Sequence, residues 1–167
     1  MNFVYDQSST ISIYHNSIFS LADVESVLEP LFGNYYGKEK LAAIISSVDH
    51  IWCVHDRRIN QYVACALVQS HNEKDVLYIK LFGVAISSQG QGIGTRLLKA
   101  IKKWARQANY FAVILHTQIN NDKAIGLYEK LGFEKQYLFK DFFRPREIPL
   151  SLYIHEPDAY QMILYLQ

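Results

Sequence analysis

Three glycines at alternate positions, Gly90, Gly92 and Gly94, lie between an apolar run and an amphipathic stretch. Glycine accepts positive φ and lets backbone approach a ligand closely, while the first N–H groups of a helix and its dipole attract an anion. The expected use of such a turn is a phosphate cradle. Downstream, His116 closes a second apolar run, Phe111 to Thr117. An imidazole with an ordinary pKa of about 6.5 suits a general base at neutral pH. Tyr78 lies in the run before the glycines, and Tyr128 in the helix-like stretch after His116. Each of the three also has a structural alternative: a tyrosine packing a sheet, a satisfied strand-end histidine, an aromatic covering a helix face.

The elements that must position these groups alternate in type. Val76 to Ile86 reads as a long strand, and Ile93, Leu97, Leu98, Ile101, Ala105 and Ala108 recur on one face of a helix reaching about Gln107. Phe111 to Thr117 reads as a strand parallel to the first, because a whole helix joins them. Asp122 to Leu131 reads as a helix stopped by Gly132. Upstream, Ile11 to Tyr14 is an expected strand, Leu21 to Leu28 a helix with Ser20 at its N-cap, Leu31 to Gly37 a loop and Lys38 to Ser46 a helix. Ile51 to Val54 and Tyr62 to Gln69 are expected antiparallel strands joined by the polar turn Asp56 to Asn60. Phe133 to Phe139 and Ala159 to Leu166 close the sheet. Between them, Pro145, Pro149 and Pro157 break a segment that reads as a loop with one short strand at Leu152 to Ile154.

Composition fits one domain over residues 1–167: half of the side chains are hydrophobic, enough to bury a core. A formal net charge of +1 argues against a nucleic-acid partner, which would need a basic surface. No apolar run approaches the roughly 20 residues that span a bilayer, and no signal peptide is read, so no membrane partner is expected. Cys53 and Cys65 lie in apolar strand-like segments without metal-ligand spacing. Buried reduced thiols, a cytoplasmic location and no metal site are the expectations.

The glycine turn is neither a dinucleotide fingerprint nor a triphosphate P-loop. Its spacing is not GxGxxG, antiparallel strands precede it, and no Gly-Lys-Ser/Thr closes it. Gln89-x-x-Gly92-x-Gly94 at a strand–helix junction, Leu115-His116 at a strand end, and Asn121-x-x-Ala124-x-x-x-Tyr128-x-x-x-Gly132-Phe133 together resemble the GNAT acyl-CoA N-acyltransferases over most of the chain. The resemblance implies a mixed α/β (α+β) fold: a twisted, mostly antiparallel sheet of six or seven strands, flanked by helices, with a splayed central parallel pair. It implies acetyl-CoA as cofactor and coenzyme A as product. Amides of Gln89, Gly90, Gln91, Gly92, Ile93, Gly94 and Thr95 would hold the pyrophosphate. Phe82, Gly83 and Val84 would pair with the pantetheine like an added strand. Asn121 and Tyr128 would adjoin the cofactor, with the Tyr128 hydroxyl near the thioester sulfur.

The spacing further resembles the Naa50-type N-terminal acetyltransferases, through Leu77-Tyr78-Ile79, Leu115-His116, Tyr128 and the tail Glu156-Pro157-Asp158-Ala159. That implies a base formed jointly by Tyr78 and His116 through water, with Tyr128 as the third catalytic group. It also implies that Phe32, Tyr36, Phe142 and Phe143 wall an acceptor groove from two loops. The chain departs from the subgroup at Gly33-Asn34, at Gly90 in place of an arginine, at Phe142-Phe143 in place of two tyrosines, and in the long segment Arg144 to Pro157. The expected reaction is direct transfer of acetyl to a primary amine, first of all a peptide N-terminus. A lysine, a polyamine or an aminoglycoside is the alternative acceptor, and a non-catalytic acyl-CoA-binding module is the competing class.

Overall fold

The computed structural model describes residues 3–7, 10–16, 19–71 and 75–167. Its strands are β1 (Phe3–Gln7), β2 (Ile11–His15), β3 (His50–Asp56), β4 (Gln61–His71), β5 (Val76–Val84), β6 (Ala112–Gln118), β7 (Glu134–Phe139) and β8 (Ala159–Tyr165). They form one sheet in the order β1-β2-β3-β4-β5-β6-β8-β7. Among the described residues only β5 and β6 pair in parallel; the other pairings are antiparallel. This is the expected mixed sheet around a central parallel pair. Among the described residues it has eight strands rather than six or seven because Phe3–Gln7, too short for a readable alternation, adds an edge.

Helices α1 (Leu21–Tyr36) and α2 (Lys38–Ser47) cover one face, and α3 (Ile93–Gln107) and α4 (Asp122–Lys130) the other. The expected face of α3 is the buried one, through Ile93, Leu97, Leu98, Ile101 and Ala105. Full burial of a side chain such as Leu97 contributes about 1.5–3 kcal/mol. Ser20 caps α1 as expected, in a capping box with Asp23.

Two expectations fail. α1 does not end at Leu28 with a loop after it; the helix continues past Pro30 and Gly33 to Tyr36. Pro30 has no N–H to donate back to Ser26, a cost to any helix. The continuation is held by a notch in β5: a Cβ on Gly83 would lie 2.6 Å from Leu31 Cδ1 and 3.2 Å from Phe32 Cε2. The last turns of α1 sit where only glycine leaves room. Leu152 to Ile154 is likewise no strand. A single 3-10 turn, Leu150–Leu152, forms instead, with Leu152 N–H donating to Pro149 O at 2.9 Å. Three nearby prolines remove the donors that a ladder needs.

The parallel pair holds together only from Val76 to Ile79 against Ala112 to Leu115. Beyond that, β5 stays on β4 and β6 stays on β8, so their facing edges part. A bulge marks the place. Leu67 pairs with Leu81 and Val68 with Ile79, which leaves Lys80 as an extra residue in β5. Before it, Leu77 and Ile79 join the core under α3; after it, Leu81 joins the core under α1, while Phe82 and Val84 pack on the α3 side.

Away from the splayed edge, a polar chain crosses the aromatic core. His15 Nε2 meets His50 Nδ1 at 3.0 Å, His50 Nε2 meets Ser70 Oγ at 3.2 Å, and Ser70 Oγ meets the Tyr110 hydroxyl at 2.7 Å. His15 stacks on Trp52 at 4.2 Å, with Trp104 edge-on at 4.7 Å. Burial, reinforced by His50, pushes the His15 pKa down to about 4. Cys53 and Cys65 face each other across β3 and β4, buried and unbridged, with Sγ atoms 3.1 Å apart. Among the described residues no helix is long and apolar enough to cross a membrane.

Candidate active site

A cleft of about 750 Å³ opens where β5 and β6 part, and runs from the glycine turn to the end of α1. At its floor, Gly90 and Gly92 both have φ of +76°, and a Cβ on either would meet no described atom within 4 Å. Gly92 is also the N-cap of α3, without a side-chain cap. The first N–H groups of a helix lack partners within it, so those of Ile93, Gly94 and Thr95 are donors for whatever enters the turn. Gly94 has a further role. A Cβ there would stand 3.4 Å from Phe82 and Val84 and 3.5 Å from Leu127, so this glycine lets α3 pack close to β5 and α4.

The turn is braced by side chains of its own. Gln89 Nε2 donates to Val84 O at 3.0 Å. Arg58 grips buried Asp56 through Nε (3.1 Å) and Nη2 (2.7 Å), and Nη2 also donates to Gln91 Oε1 at 3.0 Å. Gln91 is therefore tied to the β3–β4 turn and does not line the cleft. Along the wall, Phe82, Gly83 and Val84 lie on the open edge of β5. Asn121 lines the cleft too, but its Oδ1 accepts from Ala124 N–H at 3.2 Å as the N-cap of α4.

At the upper end of β6, His116 Nδ1 lies 3.0 Å from the Tyr78 hydroxyl. β5 and β6 bring the two together because Tyr78 pairs with Ile114 and the next residue on that face of β6 is His116. Burial lowers the His116 pKa, against a hydrogen bond with Gln161 that raises it. The ring therefore stays neutral at pH 7. Burial, with Tyr36 nearby, pushes Tyr78 up to about 12, so its hydroxyl keeps its proton. His116 lines the cleft, whereas Tyr78 stands just behind that wall. Tyr128, on α4, lines the cleft with its ring largely buried beside Phe82 (6.2 Å) and Phe133 (5.7 Å). Burial raises its pKa as well.

Phe32, Tyr36 and Phe143 border the far end of the cleft. Phe32 and Tyr36 come from α1 rather than from a loop. Phe142 is not part of that border. It stacks on His116 at 4.1 Å and 16°, while Phe139 meets the same ring edge-on at 5.5 Å. Of two adjacent aromatic residues, one faces the cleft and one covers the imidazole. Three residues that bear on the site went unread: Tyr35, whose hydroxyl accepts from Gln118 Nε2; Gln118, which also donates to Glu156 O at 2.9 Å; and Gln161, opposite His116 on β8. Period two along β6 was the available signal for Gln118, on the face of His116.

Comparison with known proteins places the chain in one family. The model of the Acetyltransferase (GNAT) family matches residues 21–133. N-alpha-acetyltransferase 50 of Danio rerio is 34% identical over 83 residues, 49% of this chain and 49% of that one. IAA acetyltransferase of Azospirillum brasilense is 32% identical over 101 residues, 60% of this chain and 64% of that one. The chain thus spans about half to two thirds of these relatives. Among solved structures, Arabidopsis thaliana Naa50 in complex with a bisubstrate analogue superimposes with a TM-score of 0.69 at 21% identity, covering 91% of this chain and 97% of that one. At that identity the likeness is one of fold. The family match spans well over half of the chain, and the protein belongs to the GNAT acetyltransferase family.

Proposed function

We propose that the protein transfers the acetyl group of acetyl-CoA to a primary amine, with a peptide N-terminus as the preferred acceptor. The observation that carries this is the Tyr78–His116 pair, 3.0 Å apart, at the mouth of a cleft whose floor is an open glycine cradle. The site residues fit acetyl-CoA. Gly90 and Gly92 leave bare space for a diphosphate against the start of α3. The unpaired edge of β5 at Phe82 to Val84 offers backbone partners for an extended amide chain.

Acetyl-CoA supplies an acetyl group activated as a thioester. The remaining chemistry falls to the chain. Neutral His116, with the Tyr78 hydroxyl on Nδ1, takes up the ammonium proton as the amine attacks. Because Tyr78 stands behind the wall, a water molecule carries the proton from the amine to the pair. Tyr128, kept protonated by burial, donates a hydrogen bond to the sulfur as it leaves. Phe32, Tyr36 and Phe143 hold the acceptor, and Phe142 shields the imidazole.

Among the described residues lining the cleft, the carboxylate is Asp122, on α4 beside the coenzyme end. The acceptor end is aromatic and uncharged apart from Lys80. A polyamine or aminoglycoside would call for acidic groups there, so a peptide amine fits better. Thiol release from acetyl-CoA is the test, with a panel of N-terminal peptides, lysine peptides and polyamines. Turnover confined to peptides with free N-termini supports the reading. Tight binding of coenzyme A without turnover on any amine makes the protein an acyl-CoA-binding module instead.

A further inference from the structure

We infer that Gln161 is a positioning residue: oriented by Gln136, it holds His116 in the tautomer protonated on Nε2, leaving Nδ1 as the basic atom of the site. The catalytic meaning of this rests on the acetyl-transfer reading above; the tautomer itself does not.

The argument begins with strand register. β6 and β8 pair so that His116 stands directly opposite Gln161, and residues opposite each other on one face are within reach. On the other side of β8, Lys135 pairs with Met162 and Tyr137 with Gln161. Gln136 is therefore the extra residue of a bulge, a device that re-aims a side chain. Every other residue of β7 is exposed, but Gln136 turns inward. Its Oε1 accepts from Gln161 Nε2 at 2.7 Å. An amide has one donor end and one acceptor end. With the donor end taken by Gln136, the oxygen of Gln161 is the end left for His116.

His116 Nδ1 is taken by the Tyr78 hydroxyl, so the hydrogen bond with Gln161 that raises the ring's pKa falls to Nε2, with the amide oxygen as the end free to make it. An oxygen there needs a hydrogen. The alternative tautomer would set the bare Nε2 lone pair against the oxygen lone pairs, which repel. Tyr78 retains its hydroxyl proton and donates it to Nδ1. When a proton arrives from the amine through water, it binds the Tyr78 oxygen as the hydroxyl proton passes to Nδ1. The amine has then lost one proton and the imidazole gained one, with the Nε2–H still held by Gln161. The groups facing the ring are Tyr78 from β5, Gln161 from β8, Phe139 at the end of β7 and Phe142 after it, all neutral.

The experiment is nitrogen NMR of His116 in the labelled protein without acetyl-CoA, for the wild type, Gln161→Leu, Gln161→Glu and Gln136→Leu. The wild type should show a pyrrole-like Nε2 and a pyridine-like Nδ1. Gln161→Leu should mix the tautomers and lower the titration midpoint of the ring, whereas Gln161→Glu should keep Nε2–H and raise it. Gln136→Leu should loosen the preference without touching the histidine, and serves if Gln161→Leu melts early. In kcat/KM, Gln161→Leu should lose at least about tenfold, within the roughly 10⁴ that a wrong histidine tautomer costs a serine protease. Gln161→Glu should restore the rate, with its acid limb moved to the new midpoint. A wild-type ring protonated on Nδ1, or tautomer and midpoint unmoved in Gln161→Leu and Gln136→Leu, overturns the inference. If the NMR behaves as expected while no amine is acetylated, the tautomer assignment stands and the acetyl-transfer reading falls.

Discussion

His15 makes stability depend on pH by an amount that the structure sets. The side chain is 7% exposed, stacked on Trp52 and bonded to His50, and its pKa lies at about 4. In the unfolded chain it returns to about 6.5. Between those values the unfolded state binds the proton and the folded state does not, so acidification favours unfolding. Stability is fully present above the unfolded pKa and is lost as pH falls toward the folded one. The gap, at 1.36 kcal/mol per pH unit, amounts to about 3.4 kcal/mol in all, about 2 kcal/mol of it already lost at pH 5. Other groups also titrate on the way down; Asp56, held low by Arg58, contributes its loss at more acid pH. A difference measurement isolates the histidine. His15→Phe keeps a ring on Trp52 but cannot take up a proton. Urea denaturation, followed by tryptophan fluorescence at pH 7 and pH 5, should give a decline about 2 kcal/mol smaller in the variant than in the wild type. Equal declines in both proteins would refute the assignment of acid sensitivity to this ring.

Three further perturbations address the cleft. His116→Ala and Tyr78→Phe should each reduce kcat/KM by about 10²–10⁴, with the double variant little worse than the poorer single because they act as one unit. In the wild type, kcat/KM should fall as pH drops through the lowered His116 pKa; near-full activity in both single variants across pH ends the catalytic assignment. Gly92→Glu should weaken coenzyme A at least tenfold, about 1.4 kcal/mol, by calorimetry on protein whose melting temperature is checked because φ there is +76°; unchanged affinity removes the cradle. Phe143→Ala should raise the acceptor KM and spare that of acetyl-CoA, whereas Phe142→Ala should wet the His116 ring and move its acid limb up toward 6.5. A drop in thermal stability with normal kinetics in both would identify these rings as an aromatic mini-core.

The glycine turn, His116 and Tyr128 could be read from sequence because each sits at the end of a strong local pattern. An apolar run stops at His116, and a period-3.6 face starts at Ile93. The second half of α1 could not be read, because Pro30 and Gly33 are local stop signals and the notch at Gly83 that overrides them is fifty residues away. Gln91 and Gly94 belong to the expected cradle through their backbone amides; that Arg58 holds the Gln91 side chain and that Gly94 also packs close to Phe82, Val84 and Leu127 depends on distant contacts that the local pattern does not carry. Phe142 and Phe143 have identical side chains, and only the seating of Phe143, by its N–H on Pro157 O and its carbonyl under the Tyr153 hydroxyl, decides which one meets the cleft. Gln161 enters the site through β6–β8 register, which no single strand encodes.

The extra residue in β5 has a consequence for how this strand tolerates change. Side chains alternate between two sides of a sheet, so inserting one residue exchanges the sides for everything after it. The bulge at Lys80 absorbs that exchange and keeps β5 in step with β4 on both sides of it. Were Lys80 to take an ordinary place in the ladder instead of bulging, Leu81 would turn to the α3 side, Phe82 and Val84 would be driven against α1, and the bare Cα of Gly83 would no longer lie beneath Leu31. The lysine side chain itself carries little of this; its Nζ only approaches Ser47 Oγ at 3.4 Å. Position 80 should therefore accept many replacements, and even its deletion should leave Leu81 to Val84 on their present sides, because Ile79 and Leu81 already oppose the adjacent Val68 and Leu67.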